Sequence, residues 1–465
     1  MRRIPDEWLA LAVRLAAVGL AEIASGDFLL ASSRSEFFGR LFGRDSLITS
    51  MQFLSAIDLD PTLAPVLLPP IEGSLRALAQ LQGVIDDPWT EEEPGKIPHE
   101  YNPDGEGDFP GAYYASIDAT PLFLVTLHRY AVVIGKLASS RTPPGSVPTP
   151  ALHDQPGGPP GACAIPPLLV ELRDSRDRAL RWLLERADLD GDDLTEFLQR
   201  NPERRSLINQ NWKDSRDSLL MSDGTIPPYP VAYAEVQAYC YGALLGEADL
   251  RHAEDPEFAA GLRASASRLA DRFERRFWLP ETGSYAQALD ARKRPLTDVS
   301  SNGFHWLWLG PTRPRRHRRA ARRLLEPDLR TPFGVRTLSS RSPNYAPLRY
   351  HRGTIWPWDN WVAASALRRL CMDEEAAGID AAVLRALAEL GCPAELYSYL
   401  DGEKHPSMDF HNIWGGRARS CRIQAWTVGY LVEMVARWGR GEALRAEVGR
   451  VLHEGQWTRP LLISQ

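Results

Sequence analysis

Between residues 209 and 218 the chain reads Asn209-Gln210-Asn211-Trp212-Lys213-Asp214-Ser215-Arg216-Asp217-Ser218. Two carboxylates three residues apart, an indole, amides and two cations crowd into a stretch that no apolar periodicity explains. A carboxylic acid whose pKa is raised by burial can hand a proton to a departing oxygen. The indole would offer an apolar platform for the C–H face of a sugar, and the amides would suit its hydroxyls. The competing reading is a helix start, with an Asp and a Ser capping free backbone N–H groups. A D-x-x-D pair alone does not separate the two, so other segments must decide.

Four further polar-aromatic stretches recur along the chain. They are Phe37 to Ser46, Lys96 to Glu100 with Tyr113 to Pro121, Tyr350 to Trp361, and Pro393 to Tyr397 with Gln424 to Trp426. Arg44 and Asp45 offer a fork of donors and an acceptor suited to vicinal hydroxyls, or a structural ion pair with Asp45 as a helix cap. Asp118, just before a helical run, admits the same two readings. His351, Arg352 and Asp359 stand among Trp356, Trp358 and Trp361, too polar a company for an ordinary core turn. Glu395, between Pro393 and Leu396, has the character of a base that activates water, or of a surface glutamate. Lys213, Glu235 and Gln237 complete the candidate substrate-binding groups.

The elements that must position these groups are helices. Trp8, Leu11, Leu15, Val18 and Ala21 recur at spacings of three and four, as do Leu47, Met51, Leu54 and Ile57. Further helices are predicted over about 62–82, 118–136, 166–187, 192–200, 230–247, 256–277, 302–309, 314–326, 357–371, 374–390, 422–438 and 440–453, and no sustained alternation signals a strand. Long polar loops between alternate pairs predict an all-α (α/α)6 barrel, with short connections on one face and functional loops on the other. Ala232 to Leu245 and Trp361 to Leu370 read as inner helices; a helical solenoid or bundle is the alternative. The chain reads as one catalytic domain, 1–465, with a Pro/Gly-rich insertion at about 138–165.

Composition excludes several classes. A net charge of −6 gives the molecule no general attraction for nucleic acid or anionic membrane. The basic run Arg313 to Arg323 reads as a solvated outer helix face, and no uncharged apolar run approaches bilayer length. Five scattered cysteines without C-x-x-C or Cys/His pairing point to a reducing, cytoplasmic compartment and away from zinc. Fourteen Trp residues, several in polar loops, suit a carbohydrate partner.

Taken in order, Phe42 to Ile48, Tyr114 to Pro121, Asn209 to Ser218 with Ala232 to Tyr239, Tyr350 to Asn360 and Pro393 to Leu396 resemble the amylo-α-1,6-glucosidase domain of glycogen-debranching-type glycoside hydrolases. That domain belongs to the six-hairpin glycosidase clan, with glucoamylases, trehalases and the glucosylglycerate hydrolase group. The resemblance implies inverting hydrolysis of an α-glucosidic bond without metal or organic cofactor. It implies Asp214 as general acid, with Asp217 as second choice, and Glu395 as general base. Arg44, Asp45, Asp118, Trp212, Glu235, His351, Arg352, Trp356 and Asp359 match positions that line the sugar pocket. The family usually has Gly where Arg216 stands and His where Trp358 stands. Tyr350-His351-Arg352-Gly353 is similar to the glucosylglycerate hydrolase side, so a small glucoside competes with a polymer. The rival classes are a non-catalytic sugar-binding protein on the same barrel and a sugar epimerase, which would want paired histidines from among His99, His305, His351 and His411.

Overall fold

The computed structural model describes residues 5–104, 111–140, 165–201, 207–412 and 415–454. In chain order its helices are α1 (Asp6–Ile23), α2 (Gly43–Leu59), α3 (Ala64–Gln80), α4 (Ala119–Ser140), α5 (Pro167–Glu171), α6 (Arg173–Glu185), α7 (Ala234–Arg251), α8 (Pro256–Arg276), α9 (Gly303–Leu309), α10 (Pro314–Leu324), α11 (Pro357–Arg369), α12 (Asp373–Leu390), α13 (Ala425–Arg437) and α14 (Gly441–Glu454).

Six of them form an inner ring: α2 packs on α4, α4 on α7, α7 on α9, α9 on α11, α11 on α13, and α13 returns to α2. Outside lie α3, α6, α8, α10 and α12, each against its inner neighbour, with α1 and α14 covering α13. This closed set of helical hairpins is the (α/α)6 barrel. The two rings differ in pattern for a physical reason. Inner α13 is buried on every turn from Ala425 to Ala436, whereas outer α10 fully buries only His317, Ala320, Ala321 and Leu324. Most of its arginines face outward, while Arg316 and Arg323 turn back to pair with Glu274 and Asp328. The basic run is therefore an outer face, as its spacing predicts.

Local chemistry sets the helix starts. Asp255 caps α8 by accepting from the Phe258 N–H at 2.9 Å, and Pro256 occupies the first turn, where no N–H is missed. Pro357 opens α11 in the same way. Gly43 opens α2 because a β-carbon there would stand 2.2 Å from the Pro98 carbonyl; its N–H bonds the His99 carbonyl at 2.9 Å.

Strands are two or three residues long. The largest sheet joins Leu41–Phe42, Glu100–Asn102 and Gly111–Tyr113 antiparallel, beside the first turn of α2.

One sequence expectation needs correction. Residues 192–200 are not helical: the Asp188 carboxylate takes the N–H groups of Gly191, Asp192 and Asp193, and Phe197 bridges to Val231. Local side-chain capping outcompetes the helix there. Ala119–Ser139 is long and apolar enough by composition to cross a membrane, but Arg129 and Lys136 interrupt it and it is the inner helix α4, walled by α2 and α7. Of the Pro/Gly-rich insertion, residues 141–164 lie outside the described residues. Its first flank, Ser140, is 21 residues along α4 from Ala119 at the site-facing end, about 32 Å at 1.5 Å per residue.

Candidate active site

All six inner helices begin at one place. Arg44 and Asp45 sit in the first turn of α2, Asp118 precedes α4, Glu235 opens α7, Asn302 precedes α9, Trp356 and Asp359 flank the start of α11, and Gln424 precedes α13. Helix N-termini carry partial positive charge and favour carboxylates. The concentration of acids at these first turns follows from that.

Arg44 organises the acid side. Its Nε donates to Asp118 at 2.7 Å, its Nη2 to the Asn211 carbonyl at 3.0 Å, and its Nη1 reaches Asp214 at 3.5 Å. Of the two readings for Arg44, the ion pair is the one the fold uses, with Asp118 as partner. Asp118 in turn accepts from the Ser116 hydroxyl at 2.5 Å. Asp214 keeps a quarter of its side chain exposed. Burial, only partly offset by Arg44, raises its pKa to about 6.

The base side is built from a different part of the chain. The Tyr350 hydroxyl donates to one oxygen of Glu395, and the Cys421 N–H donates to the other at 3.1 Å. Burial pushes Glu395 up to about 7 against those two hydrogen bonds, and the charge of Asp214 adds to the rise. Asp45 is a third raised carboxyl, at about 7, through burial and then the charges of Asp214 and Glu395. Gln424 donates to it at 2.8 Å. Three acids from residues 45, 214 and 395 thus share one field, each holding its proton more tightly than usual.

The wall between them is aromatic. Trp212 meets Trp358 edge-on at 5.0 Å, His351 at 5.5 Å and Trp356 at 5.6 Å, and stacks on His305 at 6.1 Å. Trp356 stacks on His351 at 5.0 Å and meets Tyr350 at 4.9 Å. The indole N–H groups of Trp212, Trp358 and Trp426, the Gln424 carbonyl oxygen and His351 Nε2 are buried with no partner among the described residues. Buried donors and acceptors left open in a native fold call for a polar occupant. His351 accepts from the Ser215 hydroxyl at 2.8 Å through Nδ1; burial, Lys213 and Arg44 keep its pKa well below the ordinary value, so it is neutral.

Several predicted binding groups stand one layer back. Glu235 accepts from Asn211 at 2.5 Å and Asn302 at 2.7 Å. Lys213 donates to Asn302 at 2.6 Å and to the Thr337 carbonyl at 2.9 Å, and burial lowers its pKa to about 8. These struts tie the 209–218 loop to α7 and α9. Gln237 brackets Thr195, accepting from its N–H at 2.9 Å and donating to its carbonyl at 2.7 Å; it holds a loop. Asp359 bonds His305 Nε2 at 3.0 Å, and the Tyr239 hydroxyl sits 2.7 Å from Nδ1 of the same ring.

Asp217 faces away from the three-acid cluster. It lies 3.2 Å from Arg352 and 3.7 Å from Arg349, at the edge of a cavity of about 620 Å3 that Arg216, Asp217, Leu220, Gly224, Ile226, Arg349 and Arg352 line. Gly353 permits this turn: its φ of +151° is glycine territory, and a β-carbon would meet the Tyr345 ring at 2.7 Å.

The sequence gives Tyr350 and Gln424 a place in its polar-aromatic stretches but no role, and Asn302 no signal. A separate acidic trio with metal-ligand spacing, Asp188, Asp190 and Glu196, lies on the loop after α6. The Lys293 ammonium bonds Glu196 and approaches Asp190 at 3.1 Å.

Fold and site together define a glycoside hydrolase. Residues 166–412 match the mannosylglycerate hydrolase MGH1-like glycoside hydrolase domain, and the chain belongs to that family. Among solved structures it is similar to a GH63 mannosylglycerate hydrolase from Thermus thermophilus in complex with Tris, with 17% identity, TM-score 0.60, 90% of this chain and 98% of that one covered. The same enzyme with Tris and D-glycerate gives 17%, 0.59, 91% and 99%, and a wild-type glycosidase 14%, 0.57, 96% and 99%. No curated protein matches the chain. The six-hairpin part of the sequence resemblance holds, and the family it leads to is the mannosylglycerate hydrolase group.

Proposed function

We propose that the protein hydrolyses the α-glycosidic bond of a small glycoside with inversion, with Asp214 as general acid and Glu395 as general base. The observation that carries this is that two carboxyls from distant parts of the chain feel each other's charge across one site, Asp214 held by Arg44 and partly open to solvent, Glu395 buried and held by Tyr350 and the Cys421 N–H. The reacting form is the minor one of the pair, with Asp214 protonated and Glu395 ionised; in it Asp214 gives its proton to the glycosidic oxygen as the C1–O bond breaks. Ionised Glu395 takes a proton from a water that attacks C1 from the opposite face. Trp212 and Trp356 support the ring, and the open indole N–H groups and Gln424 meet its hydroxyls. Asp217 is the weaker choice for the acid because two guanidiniums hold it outside the cluster.

The sugar is glucose or mannose and the aglycone is anionic. The relatives' mannosylglycerate and D-glycerate support this, and so does the cationic cavity next to Asp214. A debranching role on an α-1,6 branch is less well supported, since a neutral polymer would meet those guanidiniums without using them. An epimerase is disfavoured because His305 is engaged by Asp359 and Tyr239 and His351 by Ser215, each meeting Trp212 separately, so the two do not act as a pair. The free thiols Cys240, Cys371, Cys392 and Cys421 support a cytoplasmic setting.

The test is sugar release from α-glucosyl- and α-mannosylglycerate, maltose, isomaltose, trehalose and glycogen limit dextrin, with the first-formed anomer read by NMR. Release of the β-anomer from the glycerate glycosides is expected. Release of the α-anomer refutes inversion, and turnover of limit dextrin alone refutes the small substrate.

A further inference from the structure

A proton donor stands beside the leaving oxygen, so the aglycone of the proposed reaction lies on the side of Asp214. The chain just after Asp214 lines a cavity there. Arg216 and Asp217 form one wall, Arg349 and Arg352 a second, and Leu220 and Ile226 an apolar third. His351, which precedes Arg352, is tied to Ser215, so the two charged walls are held to each other at the acid itself.

The charges in this cavity do not cancel. Asp217 supplies one negative charge and spends it on Arg352 at 3.2 Å and Arg349 at 3.7 Å. Arg349 also donates to the Asn412 carbonyl, which is neutral. Nε of Arg352 is buried without a partner among the described residues. Arg216 is exposed, and among the described residues no ion pair to it is formed. Three guanidiniums against one carboxylate leave two positive charges unanswered. A single carboxylate would still leave one guanidinium without a partner.

We propose that this cavity takes an aglycone carrying two negative charges, and that a phosphate monoester, whose oxygens match the guanidinium fork, is the group it is built for. The substrate is then a small α-glycoside of a phosphorylated polyol or hydroxy acid. Leu220 and Ile226 pack against the carbon chain between sugar and phosphate. This rests on the hydrolase reading above and narrows its substrate.

The experiment compares three matched α-glycosides, those of glycerol, glycerate and glycerol 3-phosphate, whose aglycones are neutral, singly and doubly charged, each made with glucose and with mannose. kcat/KM is expected to rise in that order, by about tenfold or more from glycerate to glycerol 3-phosphate, mainly through KM. The advantage should shrink with added salt and collapse in Arg216→Ala. Equal or lower efficiency on the glycerol 3-phosphate glycoside than on the glycerate glycoside overturns the proposal.

Calorimetric binding of glycerol 3-phosphate separates the two layers. Binding that Arg216→Ala abolishes, with no glycoside turned over, upholds the subsite and removes the hydrolase reading. Turnover of all three glycosides at one efficiency, without binding, removes the subsite and leaves the hydrolase reading standing.

Discussion

Replacing Glu395 by Gln should make the protein more stable at alkaline pH while stopping turnover. Burial holds the Glu395 pKa at about 7, against an ordinary value of 4.5. The difference, about 2.5 units at 1.36 kcal/mol each, is about 3 kcal/mol. A carboxyl that keeps its proton to higher pH when folded binds more protons in the folded state than in the unfolded one. Its contribution is fully present below pH 4.5 and is lost as pH rises through about 7. Gln keeps the shape and never ionises, but its carbonyl can accept from only one of Tyr350 and the Cys421 N–H, a loss of about 1 kcal/mol. Near pH 8.5 the variant should therefore gain about 2 kcal/mol net. For 465 residues the unfolding entropy makes this about 2 °C in Tm. Near pH 4.5 the gain should vanish or reverse slightly. Thermal unfolding by circular dichroism from pH 4.5 to 9, beside kcat on the best glycoside, reads both effects. A Tm difference that does not change with pH refutes the buried, raised carboxyl, and turnover within tenfold of wild type refutes its role as base.

Other outcomes follow from the same geometry. The pH profile of kcat/KM should be a narrow bell with limbs near 6 and 7, assigned to the coupled Asp214–Glu395 pair; a plateau extending past pH 9 contradicts it. Asp214→Asn should lose at least about a thousandfold in kcat, whereas Asp217→Asn should mostly raise KM for anionic substrates; the reverse ranking would move the acid to Asp217. Tyr350→Phe removes a hydrogen bond that lowers the Glu395 pKa, so the limb near 7 should move to higher pH with kcat down about tenfold or more. An unmoved limb contradicts the contact. Gln237→Ala should lower stability by about 2 kcal/mol through the freed Thr195 backbone, with kcat/KM nearly intact. A loss confined to KM would return Gln237 to sugar binding.

Most of the barrel is legible in the sequence because inner and outer helices each impose a periodic apolar face. The failure at 192–200 is instructive, since Asp188 bonds three successive N–H groups and no periodicity registers such a local competitor. In the site, Trp212, Asp214, His351, Trp356 and Glu395 stand out because polar and aromatic residues together at a helix start do not serve a core. Depth was not legible. Lys213, Glu235 and Gln237 have the residue types of a sugar pocket, yet all three are fully buried and bond to protein. Whether a polar side chain meets a ligand or another side chain depends on partners far along the chain, such as Asn302 for Glu235, 67 positions away. Tyr350 and Gln424 owe their roles to the same kind of distant pairing.

The hydrogen bond from Gln424 to Asp45 spans 379 positions and joins the last inner helix to the first. Beside it, the Ala425 N–H reaches the Ala31 carbonyl at 2.8 Å. The ring is therefore zipped shut within the reaction chamber itself, and one of the acids that feel the Glu395 charge is also the clasp. Looseness at this seam, from a weakened α1 or α13, would reach the chemistry before it reached the bulk of the core. Turnover should therefore decline ahead of any spectroscopic sign of melting as the protein is warmed.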